Sequence, residues 1–157
     1  MFKTIVWATD GSETADRALP YAKGLAGGAD KTLVVIHVKE LLVGRGGGYP
    51  VNAAEDEYVA KIEAQVEEIR KGGVKVELKL ATSTSSGPAH FVAEIAKEVA
   101  ADVIVVGTRG HGPIAGALLG SVAQHLLHDA PCPVLAVPPL EQANVTETER
   151  ETMKAAS

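Results

Sequence analysis

The chain has 157 residues, 46% of them apolar and 22% charged, and a net charge of −5. This length corresponds to about one domain with a core of useful size, and the composition argues against a disordered chain. The absence of any lysine or arginine block argues against a nucleic-acid-binding surface. Cys132 is the only cysteine, which excludes an internal disulfide and suits a reducing compartment.

No segment of the sequence resembles a targeting or membrane signal. The first ten residues, MFKTIVWATD, reach Asp10 before an apolar signal-peptide region forms, and no apolar run has the length of a membrane span. We therefore expect a cytoplasmic protein.

The first half of the chain alternates strand and helix patterns. Apolar runs at residues 2–9 and 32–38 predict buried strands. A helix between them begins after Ser12, a natural N-cap, and Pro20 is expected to kink it or shift its start. The glycine-rich segment 41–52 predicts a long, mobile loop.

The second half continues the alternation. Helices are predicted over roughly 53–71, which ends at glycines, and 89–100. Strands are predicted at 74–80, whose alternating pattern fits a sheet edge with one wet face, at 102–107 and at 133–137. Five strands alternating with helices predict one doubly wound α/β domain with a parallel sheet. The domain is assigned to residues 1–138, and residues 139–157 are predicted to be a polar, flexible tail.

The segment GTRGHGPIAGALLGS, residues 107–121 and hereafter the glycine loop, has five glycines between a strand and a helix. Ligands of open α/β sheets bind beyond the carboxyl ends of strands, where this loop and Asp10 would meet if their strands are neighbours. Glycine N–H groups and the helix start, with Ser121 as the expected N-cap, suit phosphate, and Asp10 suits ribose hydroxyls. The pattern favours a nucleotide over a plain flexible connector.

Two other glycine motifs fit less well. Gly110-x-Gly112-x-x-Ala115 matches a dinucleotide fingerprint formally, but it follows the fourth strand, is interrupted by Pro113 and lacks the later acidic residue, which argues against NAD. No Gly-Lys-Ser/Thr occurs, so the loop is not a P-loop.

The spacing Gly-x2-Gly-x9-Gly-Ser in the glycine loop, with Thr9 and Asp10 after the first strand and HDAPCPVLAV at 128–137, resembles the universal stress protein family. The resemblance covers about residues 1–138. It implies a five-stranded sheet in the order 3-2-1-4-5, like the adenine nucleotide α-hydrolases, ATP as ligand and a homodimer formed through the last strand. In that family Asp10 would hold the ribose hydroxyls and the backbone of Val38 would meet adenine. The full set of implied contact residues is Ala8, Thr9, Asp10, Val38, Val106, Gly107, Gly110, Gly120, Ser121 and Val122.

The glycine loop departs from the family at one point. Family members often carry Lys or Arg between the second and third motif glycines, where this chain has HGPIAGALL. Arg109 is the one permanent cation of the loop, as plausible in solvent as on a phosphate. Phosphate affinity would then depend on backbone groups and Mg²⁺. His111 is interpreted as a plain loop residue, with charge sensing as the alternative.

No catalytic set is evident in the sequence, and no catalytic or metal residue is assigned. His125 and His128 lack a third metal ligand and are interpreted as solvated helix positions. His37 is interpreted as a hydrogen-bonded core residue and Cys132 as a packed small side chain. The leading hypothesis is a nucleotide-binding regulatory protein. One alternative is a slow ATP hydrolase or adenylyl enzyme. The other is a ligand-free interaction module, and the intact glycine motif argues against this module.

Overall fold

The structure is a computed structural model that describes residues 1–111 and 119–139. Its secondary structure elements are, in chain order, β1 (Thr4–Ala8), α1 (Glu13–Asp16), α2 (Leu19–Leu25), β2 (Thr32–Gly44), β3 (Gly47–Pro50), α3 (Glu55–Lys71), β4 (Val76–Ser83), α4 (Pro88–Glu98), β5 (Val103–Gly107), α5 (Ser121–Asp129) and β6 (Val134–Val137).

Five parallel strands form the main sheet in the order β4-β2-β1-β5-β6. Numbered without the short strand β3, this is the predicted order 3-2-1-4-5, which is confirmed. The order reverses between β1 and β5, so the loops that follow these two strands leave the sheet side by side. This is the position at which open α/β sheets bind ligands.

Helices cover both faces of the sheet, which confirms a doubly wound domain. Ile5 and Trp7 of β1 face a core formed with α2 and α3, whereas Val6 and Ala8 face a core formed with α4 and α5. Successive side chains of a strand point to opposite faces, which is why a strand buried on both sides is apolar throughout.

The first predicted helix is divided in two. Ser12 caps α1 by accepting a hydrogen bond from the Ala15 N–H at 3.2 Å, as predicted. A new helix, α2, then begins at Leu19 with Pro20 in its first turn. Proline lacks a backbone N–H but is tolerated where a helix starts, so the prediction that Pro20 shifts the start is confirmed.

The predicted mobile loop at 41–52 is wrong over most of its length. β2 continues to Gly44 and pairs antiparallel with β3, and the chain turns through Arg45 and Gly46. Gly47 has φ +121°, a conformation available to glycine but not to most residues, so the glycines that suggested a loop form a hairpin turn. This hairpin extends beyond the main sheet and all of β3 is exposed.

The sheet edge formed by β4 has the predicted wet face, with Val76 buried and Glu77 and Lys79 exposed. None of the helices in the described ranges is long and apolar enough to cross a membrane. The predicted tail, 139–157, lies outside the described residues apart from its first residue.

Candidate functional site

A cavity of about 520 Å³ opens at the carboxyl ends of β1, β2 and β5. This volume is in the usual range for small-molecule sites. Each of the residues that the sequence nominated as a nucleotide contact lines this cavity: Ala8, Thr9, Asp10, Val38, Val106, Gly107, Gly110, Gly120, Ser121 and Val122. Residues from four separate chain segments therefore converge on one site.

The glycines of the glycine loop are needed first for close approach to the rest of the protein. A Cβ on Gly107 would lie 2.9 Å from the carbonyl oxygen of Thr14, and a Cβ on Gly110 would overlap the Asp10 carboxylate. A Cβ on Gly120 would lie 3.3 Å from the Thr108 carbonyl oxygen, which already accepts the Gly120 N–H at 2.5 Å. The loop is thus held against Asp10 and against α1.

Asp10 joins the turn after β1 to the glycine loop. Its Oδ1 accepts hydrogen bonds from the backbone N–H and hydroxyl of Ser12, at 3.0 and 2.5 Å, and its Oδ2 accepts the backbone N–H of His111 at 3.0 Å. The Nε2 of His111 lies 2.8 Å from the carbonyl oxygen of Asp10 and therefore carries a proton, since a carbonyl only accepts. His111 is more than the plain loop residue that the sequence suggested.

Helix α3 supplies contacts to His111 and to the turn after β1 that the sequence prediction did not include. The Tyr58 ring packs on the His111 ring with 4.2 Å between centroids, and it covers Gly11, where a Cβ would lie 2.7 Å from the Cβ of Tyr58. Lys61 donates to the Gly11 carbonyl oxygen at 2.9 Å and to Asp16 at 2.5 Å. These contacts fix the turn that carries Asp10.

The backbone of Val38 faces the cavity at the end of the β1–β2 ladder. The carbonyl of Ile36 accepts the Thr9 N–H at 3.0 Å, and β1 has ended at Ala8. Alternate residues of a parallel strand direct their N–H and C=O to the same side, so Val38 directs both groups to the side of β1, as Ile36 does. An adjacent donor and acceptor are therefore offered to the cavity.

His37 and Glu55 form a buried pair on the cavity wall, and both side chains are less than one-tenth exposed. His37 Nδ1 lies 2.9 Å from the carbonyl oxygen of Thr9, and Nε2 lies 2.5 Å from Glu55 Oε1. The interpretation of His37 as a hydrogen-bonded core residue is confirmed. Its partner was not foreseen, because 18 residues separate the pair.

The cavity has two ends of different character. The start of α5 and Arg109 lie at one end, where unpaired helix N–H groups and a cation favour an anion. The buried His37–Glu55 pair lies at the other end, on the side of β2, where it offers polar groups without a net charge. The expectation that Ser121 caps α5 is wrong: Gly120 is the N-cap and Ser121 is the first helical residue.

Outside the cavity, the remaining singled-out residues have ordinary surroundings. His125 and His128 are exposed, as interpreted, and His125 lies 3.2 Å from Asp129. In residues 1–111 and 119–139 no group of His, Cys, Asp and Glu is arranged to hold a metal ion. Cys132 packs against the core beside α4 and α5, and burial raises the pKa of its thiol.

Comparison with known proteins assigns this chain to a family. A model of the universal stress protein family matches residues 1–138, and the chain belongs to this family. A universal stress protein of Thermus aquaticus is 34% identical over 145 residues, covering 87% of this chain and 99% of the relative. Universal stress protein A homolog 1 of Coxiella burnetii is 36% identical over 146 residues, covering 87% and 96%.

Solved structures with a similar fold include members of the same family. The protein MJ0577, known from Methanocaldococcus jannaschii, matches with a TM-score of 0.69 at 26% identity, covering 88% of this chain and 97% of that one. A universal stress protein of Archaeoglobus fulgidus, solved in complex with dAMP, matches with a TM-score of 0.63 at 27% identity, covering 87% and 98%. A universal stress protein solved in complex with cAMP also matches with a TM-score of 0.63 at 27% identity, covering 87% of this chain and 96% of that one.

Proposed function

We propose that this protein binds an adenine nucleotide, ATP, in the cavity and acts as a nucleotide-dependent regulator of the stress response. The observation that carries this proposal is the convergence of all ten nominated residues on one cavity. The resemblance to the universal stress protein family implied these residues, and they come from segments as far apart in sequence as Ala8 and Val122.

The chemistry of the cavity supports a nucleotide with a definite orientation. The phosphates would lie at the start of α5 and Arg109, the ribose at Asp10, and the base at Val38, whose N–H and C=O match the adjacent acceptor and donor of adenine. The complexes of relatives with dAMP and cAMP support an adenine nucleotide. The choice of ATP rests on the resemblance to the family.

Mg²⁺ would enter with the phosphates rather than occupy a site built by the protein. The described residues near the phosphate end offer one carboxylate, Asp10, and both of its oxygens already accept hydrogen bonds. Mg²⁺ commonly keeps several waters and binds phosphate oxygens with few protein ligands.

We further propose that the protein acts by occupancy rather than by catalysis, in the cytoplasm and as a homodimer. β6 is an edge of the main sheet, and Leu135 at its centre is 37% exposed. An exposed apolar edge strand favours pairing with a second copy. Slow ATP hydrolysis is the alternative, since His111 lies beside the cavity end where phosphate is expected.

The test is to identify what the protein carries. Purified protein is quenched with acid, and the released small molecules are separated by chromatography and identified by mass spectrometry. An adenine nucleotide near one equivalent per chain supports the proposal. If none is released, and none binds when ATP is added back, the protein is an interaction module instead.

A further inference from the structure

The hydrogen bonds of the His37–Glu55 pair fix where its protons lie. His37 Nδ1 is 2.9 Å from the carbonyl oxygen of Thr9, which only accepts, so Nδ1 carries a proton. One further proton lies between His37 Nε2 and Glu55 Oε1, which are 2.5 Å apart. It belongs either to an imidazolium facing a carboxylate or to a carboxylic acid facing a neutral imidazole.

The second carboxyl oxygen, Glu55 Oε2, is an acceptor in both arrangements. In an ionised carboxylate it has lone pairs alone, and in a carboxylic acid protonated on Oε1 it is the carbonyl oxygen. Within the described ranges the hydrogen bonds of this carboxyl group involve Oε1 only, and the side chain lines the cavity. The cavity wall therefore presents an acceptor that is held in place by His37 and is open to a donor from a ligand in the cavity.

This acceptor lies at the end of the cavity assigned to the base. Glu55 is held by His37, the residue before Val38. Adenine carries a 6-amino group with two hydrogens. The carbonyl of Val38 is placed to accept one of them, which leaves the other to be accepted.

We propose that Glu55 is a specificity-determining residue whose Oε2 accepts a hydrogen bond from the 6-amino group of the base. The inference rests on the proposed nucleotide binding and deepens it: the site selects 6-aminopurines over 6-oxopurines. A 6-oxo group would set its oxygen against the acceptors of both Val38 and Glu55. Sites that bond a donor reject an analogue without it, because their own polar groups are then left unpaired.

Two substitutions of Glu55 separate this role from a structural one. In Glu55→Gln the amide N–H₂ donates to the neutral His37 Nε2, which leaves the amide oxygen as an acceptor toward the cavity. This variant should therefore keep the preference for a 6-aminopurine over a 6-oxopurine. In Glu55→Leu the acceptor is lost, so the preference for a 6-aminopurine over a 6-oxopurine should decrease. Glu57→Gln is the matched control, since Glu57 is an exposed carboxylate in the same first turn of α3.

The experiment measures Kd for ATP and ITP by calorimetry in the wild type and the three variants. The wild type, Glu57→Gln and Glu55→Gln should prefer ATP, and Glu55→Leu should lose about tenfold of the preference, the equivalent of one hydrogen bond. N6-methyl-ATP on the wild type needs no substitution and should bind at least about tenfold more weakly than ATP. ATP binding with the same preference in Glu55→Leu, or with N6-methyl-ATP as tight as ATP, would overturn the inference alone. No ATP binding by the wild type would instead overturn the proposed function.

Discussion

Asp10 and His111 are 101 residues apart in sequence and are joined twice, by the His111 N–H on Asp10 Oδ2 at 3.0 Å and by His111 Nε2 on the Asp10 carbonyl oxygen at 2.8 Å. The residue proposed to hold ribose thus also holds the glycine loop. In the proposed nucleotide complex, ribose binding and the position of the glycine loop would be coupled through this one carboxylate.

Replacing Asp10 should weaken nucleotide binding more than the loss of one ribose contact. Asp10→Ala removes the ribose acceptors and releases both Ser12 and His111, so we expect the ATP Kd to increase by at least about tenfold, as hydrogen bonds to a charged group are worth ~1.5–3 kcal/mol. Calorimetric titration with ATP measures the Kd of the wild type and of the variant. Asp30→Ala, an exposed aspartate outside the cavity lining, is the control. Unchanged affinity in Asp10→Ala would contradict the assigned role.

The proposed dimer can be tested by a proline on the free edge of β6. The Ile104 N–H bonds the Pro133 carbonyl and the Thr108 N–H bonds that of Val137, so Leu135 also directs its backbone to β5 and Ala136 directs its backbone outward. Ala136→Pro should therefore keep the fold and prevent pairing between copies. Light scattering should give about 33 kDa for the wild type, twice the 16.3 kDa chain, and 16.3 kDa for the variant.

Ala136→Val, which keeps the N–H, is the control and should remain dimeric. A monomeric wild type would refute the dimer, and a dimeric Ala136→Pro would place the interface elsewhere.

Asp102 should make the free energy of unfolding depend on pH in the acid range. The backbone N–H groups of Thr4 and Lys3 each donate to Asp102 Oδ2 at 2.8 Å, and these bonds hold the pKa of its carboxyl below the ordinary value of 3.8. A pKa that is lower in the folded state means that the carboxylate stabilises the fold above the unfolded pKa, and that this contribution is lost as pH falls through the folded value.

Asp102→Asn keeps an acceptor without the charge. We expect a lower Tm than wild type at pH 7, with the difference shrinking below about pH 4. Thermal unfolding across this pH range measures it, with Asp30→Asn as the control. A Tm difference that stays constant with pH would show that the charge does not matter.

ATP turnover should be very slow. Fast phosphoryl transfer needs Mg²⁺ ligands, a positioned water and cations at the transferred group, whereas backbone donors that suit ground and transition states alike improve binding without accelerating the reaction. We expect rates far below the ~10 s⁻¹ typical of enzymes. Phosphate release under Mg²⁺-ATP measures the rate, and His111→Ala controls for contaminating ATPase. Turnover near one per second that disappears in His111→Ala would identify an enzyme.

The strands could be predicted from the sequence because each rests on a local pattern, and the cavity lining because the resemblance to the universal stress protein family implied it. A parallel strand buried on both faces is apolar on both faces, as at 33–36, and the glycine loop has the spacing on which the family resemblance rests. The hairpin of β2 and β3 was missed because Gly44, Gly47 and Gly48 carry no side chain to show strand alternation. The register between β2 and β3 is set by backbone hydrogen bonds, which the amino-acid composition does not reveal.

The contributions of α3 could not be predicted for a different reason. Glu55, Tyr58 and Lys61 lie on one side of a helix whose charged residues all resemble solvated positions. Their partners His37, His111 and Gly11 come from other segments, and only the folded chain brings them together. The sequence does not distinguish Glu55 from the other acidic residues of the first turn of α3, and its burial, which requires a partner, is visible only in the folded chain.

Nucleotide binding itself is tested most directly by titrating ATP into nucleotide-free wild type, Gly120→Val and Gly24→Ala in a calorimeter. Gly120 lines the cavity, and an added side chain meets the Thr108 carbonyl oxygen, whereas a Cβ on Gly24 meets nothing within 4 Å. We predict saturable binding near one ATP per chain for wild type and Gly24→Ala, and binding weakened by at least about tenfold in a Gly120→Val protein that still unfolds cooperatively. Equal ATP affinity in wild type and folded Gly120→Val, or no binding by wild type, would contradict a nucleotide site in this cavity.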